Sequence, residues 1–125
     1  MTKSELELYI AENYHAEPEH LWAQYPDYEV FRHSSNRKWF AIIMSVAKNR
    51  IGLEGDDVID IADFKCDPVM ISYLLGTRGF HPAYHMNKSK WITVFLDGSA
   101  SDETIKNILD MSYDLTDVHK RQKHP

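Results

Sequence analysis

The stretch W-F-A-I-I-M-S-V, Trp39 to Val46, decides how the rest of the chain is read. Its even positions Phe40, Ile42, Met44 and Val46 make one continuous apolar face of period two, which is the signature of a strand against a core. On that reading the four face inward and Trp39 points to the opposite side of the sheet. Ser34-Ser35-Asn36 just before it is turn chemistry, and Y-E-V-F-R, Tyr28 to Arg32, is a second aromatic and β-branched strand. The two form a hairpin whose tip is H-S-S-N-R-K-W, His33 to Trp39.

Outward from that hairpin the other elements fall into order. Lys48-Asn49-Arg50 turns the chain, and V-I-D-I-A-D-F-K, Val58 to Lys65, is a third strand. Asp67-Pro68 starts a helix, because Asp is a good N-cap and Pro fits the first helical position. Met70, Ile71, Leu74 and Leu75 form its apolar stripe and Gly76 stops it. Phe80 to His85 reads as a strand with Pro82 on a sheet edge. Asn87-Lys88-Ser89 turns, and Trp91 to Leu96 is a strand with Ile92, Val94 and Leu96 inward. At the front, Thr2 and Glu5 have the form of a capping box, and Leu6, Tyr9, Ile10 and Asn13 carry a helix to about Tyr14. Residues 15–27, with Pro18 and Pro26, are an irregular connection with room for a short strand. Ser101 caps a last helix with Ile105, Ile108, Leu109, Ser112 and Leu115 on one face. The expected fold is an α+β two-layer sandwich of order α-β(3)-α-β(2)-α, its antiparallel sheet covered by helices on one face. Residues 1–117 make a single domain, and 118–125 a polar basic tail with no apolar anchor, expected to fray.

Composition narrows the function classes. No apolar run approaches the roughly 20 residues of a membrane span, and the polar, acidic start is not a secretory signal. A single cysteine, Cys66, cannot form an internal disulfide, so the cytoplasm is the expected compartment. A monomer is the expected form. The net charge of −5 is not that of an obvious polyanion ligand, yet it is banded. Residues 31–53 hold five bases (Arg32, Arg37, Lys38, Lys48, Arg50) and no acid. Residues 68–96 hold three (Arg78, Lys88, Lys90) and again no acid.

Each acid-free band contains a version of one phrase, His33 to Trp39 and H-M-N-K-S-K-W, His85 to Trp91. Both start with His and end Lys-Trp. Strand period puts Trp39 and Trp91 on the side away from the helices, beside two basic turns. Lys and Arg there suit phosphates, Asn36 and Asn87 suit base edges, and exposed indoles suit stacking. The bland alternative is that hairpin tips are polar in any protein and that a Trp beginning a strand packs locally.

At these residues the chain resembles the MmcQ/YjbR family of small bacterial proteins. The resemblance rests on Y-E-V-F-R-H at 28–33, N-R-K-W-F-A at 36–41, F-K-C-D-P at 64–68, P-A-Y-H-M-N-K-S-K-W-I-T-V at 82–94 and S-Y-D-L-T at 112–116. Ser89-Lys90 departs from the Lys-His or Arg-His expected there. The resemblance implies a secretion-chaperone-like α+β sandwich and a DNA-binding role, and it brings no catalytic residues. Carried over by position, the candidates are Arg32, His33, Asn36, Lys38 and Trp39 in the first tip and Tyr84, His85, Asn87, Lys88 and Trp91 in the second, with Lys65 at the end of the third strand. The remaining bases of the two phrases, Arg37 and Lys90, complete the set.

Other chemistry has little support. His81 and His85 have helical ligand spacing but sit around Pro82 in a strand. Cys66 could have a lowered pKa beside a helix start, though a free Cys is usually a small core residue. Asp56, Asp57, Asp60 and Asp63 read as scattered acids without a calcium-loop pattern, and no Gly-rich phosphate loop exists. The expectation is a non-enzymatic DNA-binding module without metal or cofactor, using both tips. The alternative is a protein-interaction module on the same face.

Overall fold

The computed structural model of the chain describes residues 1–117, so the basic tail lies outside the described residues. Helices α1 (Lys3–Tyr14), α2 (Pro68–Leu74) and α3 (Asp102–Thr116) and strands β1 (Glu29–Arg32), β2 (Trp39–Ala47), β3 (Val58–Lys65), β4 (Phe80–Pro82) and β5 (Trp91–Phe95) follow in the expected order. All strand pairs are antiparallel, in the spatial order β1-β2-β3-β5-β4. The α+β reading is therefore correct.

Local chemistry sets the helix starts. The Thr2 hydroxyl accepts from the Glu5 N–H while the Glu5 carboxylate accepts from the Thr2 N–H. Asp67 and Ser101 accept from backbone N–H groups at the starts of α2 and α3. The three helices bury Leu6, Ile10, Ile71, Leu74, Ile105, Ile108 and Leu109 against Phe31, Ile43, Ala62, Phe64, Ile92 and Val94 of the sheet. Leu75, expected in the α2 stripe, is 46% exposed because that helix ends at Leu74.

One expectation about β2 is overturned. Phe31 pairs with Ala41 and Arg32 with Trp39, so Phe40 is an extra residue, a β-bulge. Phe40 and Ala41 both pack on the helix side, and every later residue of β2 changes face. Ile42, Met44 and Val46 therefore lie on the side away from the helices, together with Trp39. In β5 the expected faces hold, with Ile92, Val94 and Leu96 toward the helices and Trp91 away. β4 ends at Pro82 rather than reaching His85, so residues 83–90 form a long tip.

The bulge opens a gap that α3 fills. The β2–β3 register ends at Ala41 opposite Phe64. At the next rung the buried Ser112 hydroxyl accepts from the Lys65 N–H at 2.9 Å and donates to the Phe40 carbonyl. A helix side chain thus replaces a ladder hydrogen bond where the two strands part.

The far face is not bare. Tyr28, Val30, Ile42, Met44, Ile61, Ala83 and Trp91 form a second buried cluster, with Trp22, Trp39, Leu53, Tyr84 and Met86 packed around it. The connection before β1, whose Glu19 bridges to Val30, and the 83–90 tip thus supply apolar cover in place of a second helical layer.

Ser112→Ala would strand the Lys65 N–H and the Phe40 carbonyl without partners. Denaturant titration should show a loss of about 2–6 kcal/mol, since each of the two buried unsatisfied groups costs about 1–3 kcal/mol. A variant as stable as the wild type would show that the rung is dispensable.

Candidate nucleic-acid interface

Antiparallel pairing places the end of β3 and the starts of β2 and β5 on one edge of the sheet, so both hairpin tips emerge together with Lys65 between them. Lys65 pairs directly opposite Trp91, and its ammonium lies 5.7 Å from the indole centroid. Between the tips runs a groove of about 430 Å³ lined by Lys38, Trp39, Lys65, Lys90, Trp91 and the end of α3. Burial, then the charges of Lys90 and Lys38, lower the Lys65 pKa. Three ammoniums from three chain segments thus repel one another across one depression. Among the described residues none of the three is in a salt bridge.

The other bases of the first tip are neutralised locally. Arg37 donates to both Glu19 oxygens at 3.1 and 3.2 Å, and Arg32 Nε lies 3.0 Å from the same carboxylate. The Arg32 guanidinium also stands 5.7 Å from the Trp39 ring. The second tip folds its own base inward, Lys88 donating to the Ala83 carbonyl at 3.0 Å. Lys38 and Lys90, the bases immediately before each Trp, are the exposed ones that share the groove.

Several candidates hold structure. His33, expected as a contact residue in the tip, is buried. Its Nε2 donates toward the Tyr113 carbonyl at 3.0 Å and lies 2.7 Å from the Thr116 hydroxyl. Burial lowers its pKa, against the opposing pull of Asp117, the Tyr113 carbonyl and Asp114, and the ring serves as an anchor to α3. Asn36 accepts from the Lys38 N–H and donates to the Thr116 carbonyl, and Asn87 accepts from the Ser89 N–H and hydroxyl. The Asn shared by the two phrases therefore makes the same side-chain turn twice. His85, with φ of 63°, is exposed and sits on the Tyr84 ring. The two indoles differ: Trp39 is half-buried, but Trp91 is 7% exposed, against the expectation of two exposed rings. Lys65 and the 83–90 tip cover it. Cys66 is likewise buried, which, with Asp67 beside it, pushes its thiol up to about 11, against the lowered pKa suggested by the helix start.

A second concavity adjoins the groove, about 320 Å³, walled by Trp22, Tyr25, Tyr28, Trp39, Tyr84 and Met86 over a floor of Ile42 and Met44. Trp39 and Met86 line both spaces. Trp22 and Tyr25 fall in the segment expected to be irregular connection, and the aromatics at 22, 25 and 28 before a strand are the sequence signal for this wall. The floor was hidden by the bulge, which turned Ile42 and Met44 to this side.

The YjbR family model matches residues 11–115. The chain belongs to the YjbR family. The Bacillus subtilis protein YyaQ, described as uncharacterised, is 34% identical over 93% of this YjbR chain and 98% of its own length. A crystal structure of a Pseudomonas syringae protein superposes with a TM-score of 0.90 at 40% identity, covering 93% of this chain and 99% of that one. A solution structure, also from Pseudomonas syringae, gives 0.85 at 38% identity over 100% and 97%. A Deinococcus radiodurans protein shares the fold at a TM-score of 0.66 and 23% identity, over 91% and 77%. Among the described residues of this YjbR chain no helix is long and apolar enough to cross a membrane.

Beneath the candidate site lies an acid that the sequence made look incidental. Asp63 is fully buried between Ile42 of β2 and Thr93 of β5. The Thr93 hydroxyl donates to one carboxylate oxygen and accepts from the Tyr84 N–H, and the other oxygen has no partner. Burial raises the Asp63 pKa to about 7, against the hydrogen bond from Thr93 and the charge of Lys88. Glu29, buried against Glu7 under α1, is raised to about 7 for the same first reason.

An acid with a raised folded pKa binds more protons folded than unfolded, so its contribution is largest at low pH and falls as pH rises. Asp63→Asn removes that dependence. Between about pH 4 and pH 7 the stability difference should move in the variant's favour by up to ~1.4 kcal/mol per pH unit, then level off. Parallel stability curves for the two proteins, from denaturant titrations across this range, would count against a buried titrating Asp63.

Proposed function

We propose that this YjbR-family chain is a non-enzymatic DNA-binding module that holds phosphates in the three-lysine groove. The observation that carries the reading is the convergence of Lys38, Lys65 and Lys90 on one depression, unpaired among the described residues and walled by two indoles. A net charge of −5 opposes any polyanion at long range, so attraction must come from this local cluster and fade quickly with salt. Lys65 strengthens the argument. Its ammonium is partly desolvated and crowded by two like charges, a strain that a phosphate between the three would relieve. The arginines and asparagines of the tips support the site by fixing its shape. Attachment of this kind follows the backbone and reads little sequence.

The second reading, a protein partner on the same face, draws on the apolar cavity next to the groove, whose walls suit a peptide side chain. A partner retained after nuclease treatment, and lost on Tyr25→Ala, would favour it.

Fluorescence anisotropy with labelled DNA tests the first reading. Binding is expected at about 20–50 mM salt, with log affinity falling against log salt at a slope of roughly −2 to −3, as expected for about three phosphate contacts. Replacing Lys38, Lys65 and Lys90 together by Gln should abolish it, whereas Lys48→Gln, outside the groove lining, should leave it unchanged. No binding at low salt, or an unaffected triple variant, would remove the proposal's basis.

A further inference from the structure

We infer that the aromatic cavity beside the lysine groove is a seat for one unstacked base, so that the module prefers single-stranded to duplex DNA. The inference rests on the phosphate reading of the groove and adds to it the half of the ligand that duplex DNA keeps hidden.

The cavity is walled largely by aromatic rings. Tyr25 and Tyr28 are stacked with centroids 4.7 Å apart and planes 12° from parallel. Trp22 stands edge-on to Tyr28 at 6.1 Å and to Trp39 at 5.9 Å, the latter pair at 90°. Three aromatic planes thus bound the space on different sides above the Ile42 and Met44 floor. Its volume of about 320 Å³ is near the lower end of small-ligand pockets, roughly 300–1,000 Å³.

Charge identifies the occupant. An apolar peptide side chain would satisfy the aromatic walls and leave the adjoining ammoniums without a partner. Trp39 and Met86 are common to cavity and groove, so a ligand resting on the indole reaches both. The exposed Arg50 guanidinium stands against the Tyr25 and Tyr84 hydroxyls. A planar apolar group with anions on its flanks matches this layout, and in a nucleic-acid strand each base sits between two phosphates. Paired bases are stacked and cannot enter, whereas in a single strand every base presents a face.

The test compares four ligands of one sequence: a single-stranded oligonucleotide, its duplex, an abasic strand of equal length and a mononucleotide. Anisotropy competition at fixed low salt should place the single strand about ten-fold tighter than the duplex and the abasic strand, with the mononucleotide far weaker. Tryptophan emission should be quenched by the intact strand and not by the abasic one, because Trp22 and Trp39 wall the cavity. Tyr25→Ala, on an exposed ring of the connecting loop, should reduce the single-strand advantage without altering duplex affinity. Equal affinity for strand and duplex, an abasic strand as good as the intact one, or a mononucleotide that matches the strand would overturn the base seat while leaving the groove. Failure of every DNA to bind would instead refute the groove, and the base seat with it.

Discussion

The lysine groove and the aromatic cavity beside it depend on one extra residue. Phe40 bulges out of β2, and its carbonyl can no longer be matched by β3. Ser112 of α3 takes the open rung, satisfying Phe40 and Lys65 at once, and so ties the last helix to the edge where both tips emerge. The same bulge reverses the face of the strand beyond it. Without it, Ile42 and Met44 would lie under the helices and the aromatic cavity would have no floor. Sheet register, helix docking and site composition thus follow from a single local irregularity.

The order of elements was legible because each boundary carried its own local chemistry: a capping box at Thr2, Asp67-Pro68, Ser101, and turn residues between apolar runs. The faces of β5 were legible too, since alternation runs uninterrupted from Trp91. The faces of β2 were not, because Trp39-Phe40-Ala41 reads as plain alternation and nothing in it announces the bulge. The likeness between the two tips was real, yet half of it served the turns. Each Asn accepts from the backbone two residues on, an interaction that composition cannot separate from ligand contact. The anchoring role of His33 is hidden for a similar reason, since its partners Tyr113 and Thr116 lie eighty and more residues away. What charge patterning did locate was the acid-free bands. Lys38 and Lys90 come from them, and only the fold shows that Lys65, drawn from an acidic stretch, stands between the two.

Burial sorts the ionisable groups into two populations. His33, Asp63, Glu29 and Cys66 are enclosed and pushed toward their neutral forms, as expected where desolvation outweighs neighbouring charge. Lys38 and Lys90 of the groove stay exposed, and only Lys65 between them is partly buried and shares the shift toward the neutral form. A protein that is acidic overall can in this way keep one cationic site.

Glu19 gives the arrangement a built-in compromise. Its backbone bridges to Val30 while its carboxylate grips Arg32 and Arg37. Deleting that acid would leave Arg32 and Arg37 without their shared carboxylate and make the first tip more positive. It would also remove the side-chain tie on the segment before β1 that carries Trp22 and Tyr25, leaving only the backbone bridge there. The charge balance of the tips and the fixing of that segment are therefore bound to one side chain.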